Sequence, residues 1–265
     1  MRIGAYQFPG SGDIEKNAGA ICRAIREASS RGVRLLAFQE CALCGYPPVE
    51  TVSVADIDFL RVQAYLEEIA AVVRSCGMYA AVGVVRREGD ACFNALQLIG
   101  PSGETIGCYD KKALWGWDLD HFRRGSDAGV FEIDGIRVGF RICFDVRFPE
   151  CFRELYLRRV SLCFVSFCDV SETEQPERYE IIKAHLRTRA VENVMTVVSV
   201  NSISGYQTAP TAVFDQNGGF VLEAPRNVPH LLVYDYTVPE TSFGMRGRIE
   251  NSDYFLTGGR TRRPS

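Results

Sequence analysis

The sequence predicts an α/β fold. Segments with the pattern of strands alternate with amphipathic helical segments on both sides of the middle of the chain, which is typical of sheets covered by helices. Several predicted strands are joined by short turns, such as Pro101-Ser102-Gly103 and Asp134-Gly135, so we expect hairpins and a sheet that is not purely parallel. The chain has 265 residues, 46% of them hydrophobic and 24% charged, as in an ordinary globular protein.

The first half of the chain begins with a strand and continues with helices and further strands. Asp13 is the candidate N-cap of the first helix, in which Ile14, Ala18 and Ile21 lie near one face. The predicted strands are 2–8, 33–38, 79–85, 91–99 and 104–109, and the predicted helices are 13–30 and about 56–75. A polar and aromatic loop over 110–129 follows them.

The second half of the chain repeats the alternation. The predicted strands are 130–133, 136–142, 162–167, 195–200, 212–215, 219–223 and 231–236, and the predicted helices are 149–158 and 175–193. No linker and no internal repeat interrupts the pattern, so we expect one domain over residues 1–265. The last part, from about 240 to 265, is rich in Gly and Arg, and we expect it to form a C-terminal arm or tail.

Charge and hydropathy exclude some partners. The formal net charge is -3, whereas a protein that binds a nucleic acid backbone needs a surplus of basic residues. No apolar run approaches the roughly 18–20 residues of a membrane span. Because a strand pattern starts at the N-terminus without a signal peptide before it, we expect a cytoplasmic protein that binds neither nucleic acid nor a membrane.

The cysteines do not predict a metal site. The ten cysteines are spread along the chain, mostly in apolar runs, where a free thiol serves as a small hydrophobic group. Cys41-x-x-Cys44 has no second pair and no nearby histidine, and the chain has only three histidines. We therefore expect reduced thiols, no metal and no cofactor.

Three reactive side chains follow the ends of predicted strands. Glu40 follows 33–38, Lys111 follows the strand that ends at Tyr109, and Cys143 directly follows 136–142. Ligand sites in open α/β folds gather at the carboxyl ends of strands. Each residue taken alone also fits a solvated loop or, for Cys143, a buried thiol.

Taken together, the three residues can form a chemical unit. A thiol with an ordinary pKa near 8.5 needs a nearby base or positive charge to become a nucleophile at neutral pH. No histidine is placed for a Cys–His pair, and the chain has no Gly-x-Ser-x-Gly motif. Chemistry at Cys143 would therefore use Glu40 as the base and Lys111 to stabilise negative charge.

The residues around these positions resemble the motifs of the nitrilase superfamily of carbon–nitrogen hydrolases. Four segments match in the expected order: Phe38-Gln39-Glu40 with Gly45-Tyr46-Pro47, Tyr109-Asp110-Lys111-Lys112-Ala113-Leu114, the run from Gly139 to Glu150, and Arg189-Ala190-Val191-Glu192-Asn193 with Asn201. The second motif selects Lys111 over Lys112. In an extended segment the two lysines point to opposite sides, so we expect Lys112 to face solvent or a subunit contact.

The resemblance implies a fold, an assembly and a set of roles. The fold is a four-layer αββα sandwich with two mixed sheets, and its protomers pair into homodimers or larger assemblies. Glu40 acts as general base and acid, Cys143 attacks as the nucleophile through a thioester, and Lys111 stabilises the oxyanion together with the backbone N–H of Phe144.

The sequence departs from the family at one position. Many members carry a second glutamate in the loop after the lysine, where this chain has Asp118 as the best match and Asp120 as a competitor. The shorter side chain either reaches less far or is carried by a shifted loop, unless both aspartates are solvated. The predicted pocket walls are the following residues: Tyr46, Trp115, Trp117, Phe144, Phe167 and Cys168.

The cysteine motif is more similar to the amidase branches than to true nitrilases, which carry tryptophan and glutamate after the cysteine. We therefore expect hydrolysis of a small aliphatic amide to an acid and ammonia, as in ω-amidases. Hydrolysis of an N-carbamoyl amide is the alternative reaction. A binding or scaffold protein without turnover is the alternative class, although the presence of Glu40, Lys111 and Cys143 argues against it.

Overall fold

The computed structural model describes residues 1–51 and 53–258. The first half contains β1 (Arg2–Gln7), α1 (Ile14–Ser30), β2 (Leu35–Phe38), α2 (Phe59–Cys76), β3 (Tyr79–Glu88), β4 (Ala91–Ile99) and β5 (Thr105–Asp110). The second half contains α3 (Asp118–His121), β6 (Val130–Ile133), β7 (Ile136–Ile142), α4 (Pro149–Leu157), β8 (Leu162–Phe167), β9 (Val170–Ser171), α5 (Pro176–Asn193), β10 (Thr196–Asn201), β11 (Tyr206–Gln207), β12 (Ala212–Phe214), β13 (Phe220–Glu223), β14 (His230–Asp235) and α6 (Phe243–Thr257).

The strands form two six-stranded mixed sheets and one small ribbon. The first sheet has the order β14-β1-β2-β3-β4-β5, and the second has the order β13-β12-β10-β8-β7-β6. In each sheet the three central strands are parallel and the outer pairings are antiparallel. The short strands β9 and β11 pair with each other as an antiparallel ribbon.

Three apolar layers hold the helices and sheets together. Side chains alternate across a strand, so β2 sends Leu36 and Phe38 to the layer under α1 and α2, and Leu35 and Ala37 to the layer between the sheets. The third layer packs the second sheet against α4 and α5. The resulting order is helices, sheet, sheet, helices, and it confirms the predicted αββα arrangement with two mixed sheets.

The strand directions bring the ends of β2, β5 and β7 to a common region. β3 is parallel to β2, and two antiparallel steps through β4 return β5 to the same direction. The sheets touch at this edge, where the Ser166 hydroxyl donates to the Phe38 carbonyl at 2.8 Å and the Glu40 N–H donates to the Phe167 carbonyl at 3.3 Å. Residues that follow these strands therefore meet between the two sheets.

Most element bounds lie within a few residues of the predicted ones, and three segments differ. The second helix begins at Phe59 rather than near residue 56, because the Asp58 carboxylate caps it by accepting the N–H groups of Leu60 and Arg61. The loop over 110–129 contains the short helix α3. The segment predicted as an arm contains α6, whose Asp253 accepts the Tyr156 hydroxyl at 2.8 Å; residues 259–265 of that prediction lie outside the described residues.

Within the described ranges, 1–51 and 53–258, no helix combines the length and the apolar character that a bilayer crossing requires.

Candidate active site

Glu40 lies just beyond β2 and is completely buried. Its Oε1 atom accepts from Lys111 Nζ at 2.8 Å and from Asn94 Nδ2 at 2.7 Å, and its Oε2 atom accepts from the Cys168 N–H at 2.8 Å. Burial raises the pKa of Glu40, and the charge of Lys111 opposes that rise. The carboxylate is thus a buried base held by three donors.

Lys111 follows β5, and its side chain is 3% exposed. The ammonium contacts two carboxylates, Glu40 Oε1 and Asp118 Oδ2, each at 2.8 Å. Burial alone would lower the pKa of Lys111, but the negative charge of Glu40 and of the other acidic groups around it raises the pKa well above its usual value. Lys111 is therefore a fixed positive charge inside the site. Lys112 points the other way and pairs with Glu154 at 2.7 Å.

Cys143 follows β7 and begins a short 3-10 turn over Cys143–Arg147. It is half-buried, and its backbone has a φ of 43°, in the left-handed region that non-glycine residues rarely adopt. Such backbone strain clusters at functional sites. Burial raises the pKa of the Cys143 thiol well above its usual value, with a further rise from the Glu40 charge and an opposing effect of Lys111. The resting group is therefore the neutral thiol.

Asp145 links the turn that begins at Cys143 to the segment around Lys111 through hydrogen bonds. Its Oδ2 atom accepts the Ile142 N–H at 2.9 Å and the Tyr109 hydroxyl at 2.7 Å, and its Oδ1 atom accepts the Ala113 N–H at 2.8 Å. The side chain is fully buried. These contacts join the end of β7 to the end of β5, so the thiol and the ammonium are held by one rigid support.

Asp118, the predicted counterpart of the family's second glutamate, contacts Lys111. The side chain lies at the start of α3, is buried, and binds Lys111 through Oδ2, while Oδ1 accepts the Tyr46 hydroxyl at 2.7 Å. Asp120, the competing residue, is exposed. The short helix α3 carries Asp118 to Lys111, and the Tyr46 hydroxyl orients the carboxylate.

The other predicted pocket residues differ in burial and in the groups that they contact. Phe144 follows Cys143, and its ring lies 6.1 Å from the ring of Trp115, which is 70% exposed. Trp117 stacks on His121 with the ring centroids 3.8 Å apart. The side chain of Phe167 packs into the layer under α4 and α5, so only its backbone carbonyl contacts Glu40.

Cys168 contributes to the site through its backbone, because its N–H donates to Glu40. Its buried side chain has a pKa raised well above the usual value, first by burial and then by the charge of Glu50. This thiol is therefore neutral.

Asn94 is the site residue that the sequence analysis missed. It lies in the middle of β4 and is 1% exposed. Its side-chain amide donates to Glu40, and its backbone carbonyl accepts the backbone N–H of Lys111 at 2.9 Å. A polar residue inside the apolar run Phe93-Asn94-Ala95-Leu96 was the available signal.

The arrangement combines a thiol, a buried carboxylate and a buried positive charge. A thiol beside a buried carboxylate can lose its proton to it, and an ammonium nearby can stabilise an oxyanion. In the part of the chain that the structure describes, no group of three or more His, Cys, Asp or Glu residues is arranged to hold a metal ion.

The fold and this site define a carbon–nitrogen hydrolase. The model of that family, described as "Carbon-nitrogen hydrolase", matches residues 2–241, so the chain belongs to the family. The resemblance to the nitrilase superfamily is thereby confirmed.

Two curated relatives illustrate the similarity. The glutamine-dependent NAD(+) synthetase of Aquifex aeolicus is 29% identical over 202 residues, 73% of this chain and 34% of the synthetase, so the match spans about a third of that protein. The 2-oxoglutaramate amidase of Bacillus subtilis is 29% identical over 179 residues, 66% of each protein.

A solved structure has the same fold. An amidase from Nesterenkonia sp. has a TM-score of 0.82 at 23% identity, covering 98% of this chain and 96% of that one. A mutant of the amidase from Nesterenkonia sp. AN1 in complex with butyramide also has a TM-score of 0.82 at 23% identity, covering 98% and 97% of the two chains.

Proposed function

We propose that this protein hydrolyses a small aliphatic amide to the acid and ammonia through a thioester on Cys143. The observation that carries the proposal is the buried Glu40–Lys111 pair, whose two charges both act on the half-buried thiol of Cys143. The 2-oxoglutaramate amidase relative and the butyramide complex of the Nesterenkonia amidase support an amide as the substrate.

In the first half of the reaction the thiol proton moves to Glu40 as the sulfur attacks the carbonyl carbon. The carbonyl oxygen becomes an oxyanion, which Lys111 and the backbone N–H of Phe144 stabilise. Glu40 then donates the proton to the leaving nitrogen, the C–N bond breaks, and ammonia leaves. An acyl thioester remains on Cys143.

In the second half Glu40 takes a proton from water, and the resulting hydroxide attacks the thioester. The intermediate collapses, the C–S bond breaks, and the proton held by Glu40 returns to the sulfur of Cys143. The sum is one amide and one water converted to one acid and one ammonia. Asp118 contributes by holding Lys111 in place through a second ion pair.

The experiment is a panel of unsubstituted amides such as butyramide, matched nitriles and N-carbamoyl compounds, with ammonia and the second product measured. An amide should yield ammonia and its acid, whereas an N-carbamoyl compound would yield ammonia, carbon dioxide and an amine. Cys143→Ala is the control for background hydrolysis. Turnover of N-carbamoyl compounds alone, or of no compound at all, would contradict the proposal.

A rapid, selective reaction of Cys143 with iodoacetamide at pH 7 separates an enzyme from a scaffold protein on the same fold. An activated thiol reacts faster than buried structural thiols. A rate at Cys143 no higher than at the other cysteines would favour the scaffold.

We also propose that the protein is a homodimer. The face formed by α4 and α6 exposes a group of large apolar side chains, which would be covered by a second copy: Leu157, Tyr254, Phe255 and Leu256. Light scattering on the purified protein measures the mass, and a monomer at micromolar concentration would contradict the proposal.

We propose a cytoplasmic location because the cysteines do not form disulfides. All ten cysteines lie in the described part of the chain and are unpaired, as expected in a reducing compartment. Cell fractionation with an antibody to the protein tests it.

A further inference from the structure

Asn94 is a buried amide inside an otherwise apolar stretch of β4. Burying a polar side chain is unfavourable unless its hydrogen bonds are satisfied, so a residue of this kind needs partners. Asn94 has them on two sides: its Nδ2 atom lies 2.7 Å from Glu40 Oε1, and Cys41 Sγ lies 3.6 Å from its Oδ1 atom.

The chemistry of the partners determines which way the amide points. An ionised carboxylate only accepts hydrogen bonds, so the nitrogen of Asn94 has to face Glu40. The amide oxygen then faces the thiol of Cys41, which can donate to it. In addition, the backbone carbonyl of Asn94 accepts the N–H of Lys111 at 2.9 Å. Asn94 therefore contacts both the base and the residue that carries the positive charge.

Among the residues that the structure describes, three hydrogen-bond donors fill three of the four acceptor positions of Glu40. A carboxylate offers about four lone-pair positions, two on each oxygen. Lys111 and Asn94 fill both positions on Oε1, and the Cys168 N–H fills one position on Oε2. The remaining position lies on Oε2.

We propose that Asn94 is a positioning residue that occupies the second lone pair of Glu40 Oε1 and so directs the thiol proton of Cys143 to Oε2. The inference rests on the proposed function, because it assigns the atom that accepts the proton in that reaction. Without Asn94, Oε1 has a free lone pair, and the carboxylate is held by Lys111 and Cys168 only.

The charged and titratable groups that face Glu40 come from several elements, and they are the following: Cys41, Tyr46, Lys111, Asp118, Cys143 and Cys168. Among them Lys111 lowers the pKa of Glu40 and Asp118 raises it. A hydrogen bond donated to the ionised form lowers the pKa of an acid. Removing the Asn94 donor should therefore raise the pKa of Glu40 further.

The sign of the pH effect follows from the role of the base. Glu40 must be ionised to accept the thiol proton, so activity is lost as the pH falls through its pKa. If that pKa rises, the acid limb of the profile of kcat/KM moves to higher pH. Loss of one hydrogen bond to a charged group should move the limb by about one pH unit.

The test compares Asn94→Leu with Asn193→Leu. Leucine has the shape of asparagine without its donor. Asn193 is an equally buried amide that donates to the Arg189 carbonyl at 2.9 Å in α5 and does not contact Glu40. We expect both variants to melt at lower temperature. Asn94→Leu alone should move the acid limb of kcat/KM to higher pH and lower kcat about tenfold or more, with KM within a few-fold. Misplacing a general base forfeits part of its roughly 10²–10⁴ contribution.

The same comparison is made on the rate at which iodoacetamide alkylates Cys143, followed on its own peptide by mass spectrometry between pH 4 and 9. This rate also depends on ionised Glu40 but needs no substrate, so it tests Asn94 even if no amide is hydrolysed and the proposed function fails. Asn94→Ala serves in place of the leucine variant if that one does not fold. The inference would be overturned if the fall of the alkylation rate at low pH occurred at the same pH in the Asn94 variant as in the parent. It would also be overturned if Asn193→Leu shifted that pH by the same amount.

Discussion

Replacing Lys111 by methionine removes the positive charge from the site while keeping most of the volume of the side chain. In the parent protein the ammonium lies between Glu40 and Asp118, at 2.8 Å from each, and none of the three side chains is more than 3% exposed. The variant therefore leaves two buried carboxylates without their cation. Lys112→Ala is the matched control, because its partner Glu154 is partly exposed and also binds Arg141.

The magnitudes follow from these contacts. Breaking a buried ion pair by removing one partner costs about 3–5 kcal/mol of unfolding free energy, whereas a pair as exposed as Lys112 and Glu154 contributes about 0.2–1 kcal/mol. Loss of an oxyanion donor lowers the rate about 10²–10³-fold. Lys111→Met should lose at least that factor in kcat, and Lys112→Ala should stay within a few-fold of the parent.

The loss of stability should depend on pH. Without Lys111 the Glu40 carboxyl loses the charge that opposes the rise of its pKa, so its folded pKa lies further above the unfolded one. Stability from such a group is present below the unfolded pKa and lost as the pH rises. Urea unfolding should therefore show a smaller deficit for Lys111→Met at pH 5 than at pH 7.5.

Ammonia release and urea unfolding measured on the same preparations test this reasoning. If Lys111→Met kept more than a tenth of the parent activity, or if Lys112→Ala were the inactive variant, the role assigned to Lys111 would be wrong.

Three further variants test the other groups. Cys143→Ala should fold normally but release no ammonia, since the half-buried thiol fills little of the core; measurable turnover by this variant would exclude the thioester. Glu40→Gln should lose about 10²–10⁴ in kcat and alkylate more slowly at Cys143, because an amide cannot accept and return the proton; an unchanged alkylation rate would mean that another group activates the thiol. Asp118→Asn should reduce kcat more than Asp120→Asn, since Asp118 contacts Lys111 and Asp120 is exposed; the reverse order would contradict the role of Asp118.

Local patterns accounted for most secondary structure. The strand over 162–167 is apolar except for Ser166, and the structure has β8 over Leu162–Phe167, because a strand buried on both faces needs mostly apolar residues. The buried Ser166 hydroxyl is satisfied by the Phe38 carbonyl. The helix α6 was missed because it contains two glycines and lacks a clear apolar face. Contacts with α4, such as that between Tyr156 and Asp253, stabilise it instead.

The residues of the candidate site also fall into those that the sequence predicted and those that it did not. Glu40, Lys111 and Cys143 could be predicted because each follows a strand and lies in a motif of consecutive residues. Asn94 and the short helix that carries Asp118 to Lys111 could not, because their roles depend on contacts between residues far apart in the chain.

The sequence by itself determined the α/β class and the family and predicted the three reactive residues, since strand periodicity and the order of the motifs are local properties of the chain. Only the tertiary structure decided how those residues work together. It alone closes Glu40, Asn94 and Lys111 into one network, because β2, β4 and β5 come together in one sheet only when the chain has folded. Burial between the sheets then sets the ionisation of the base and the thiol, and no pattern of neighbouring residues specifies that burial.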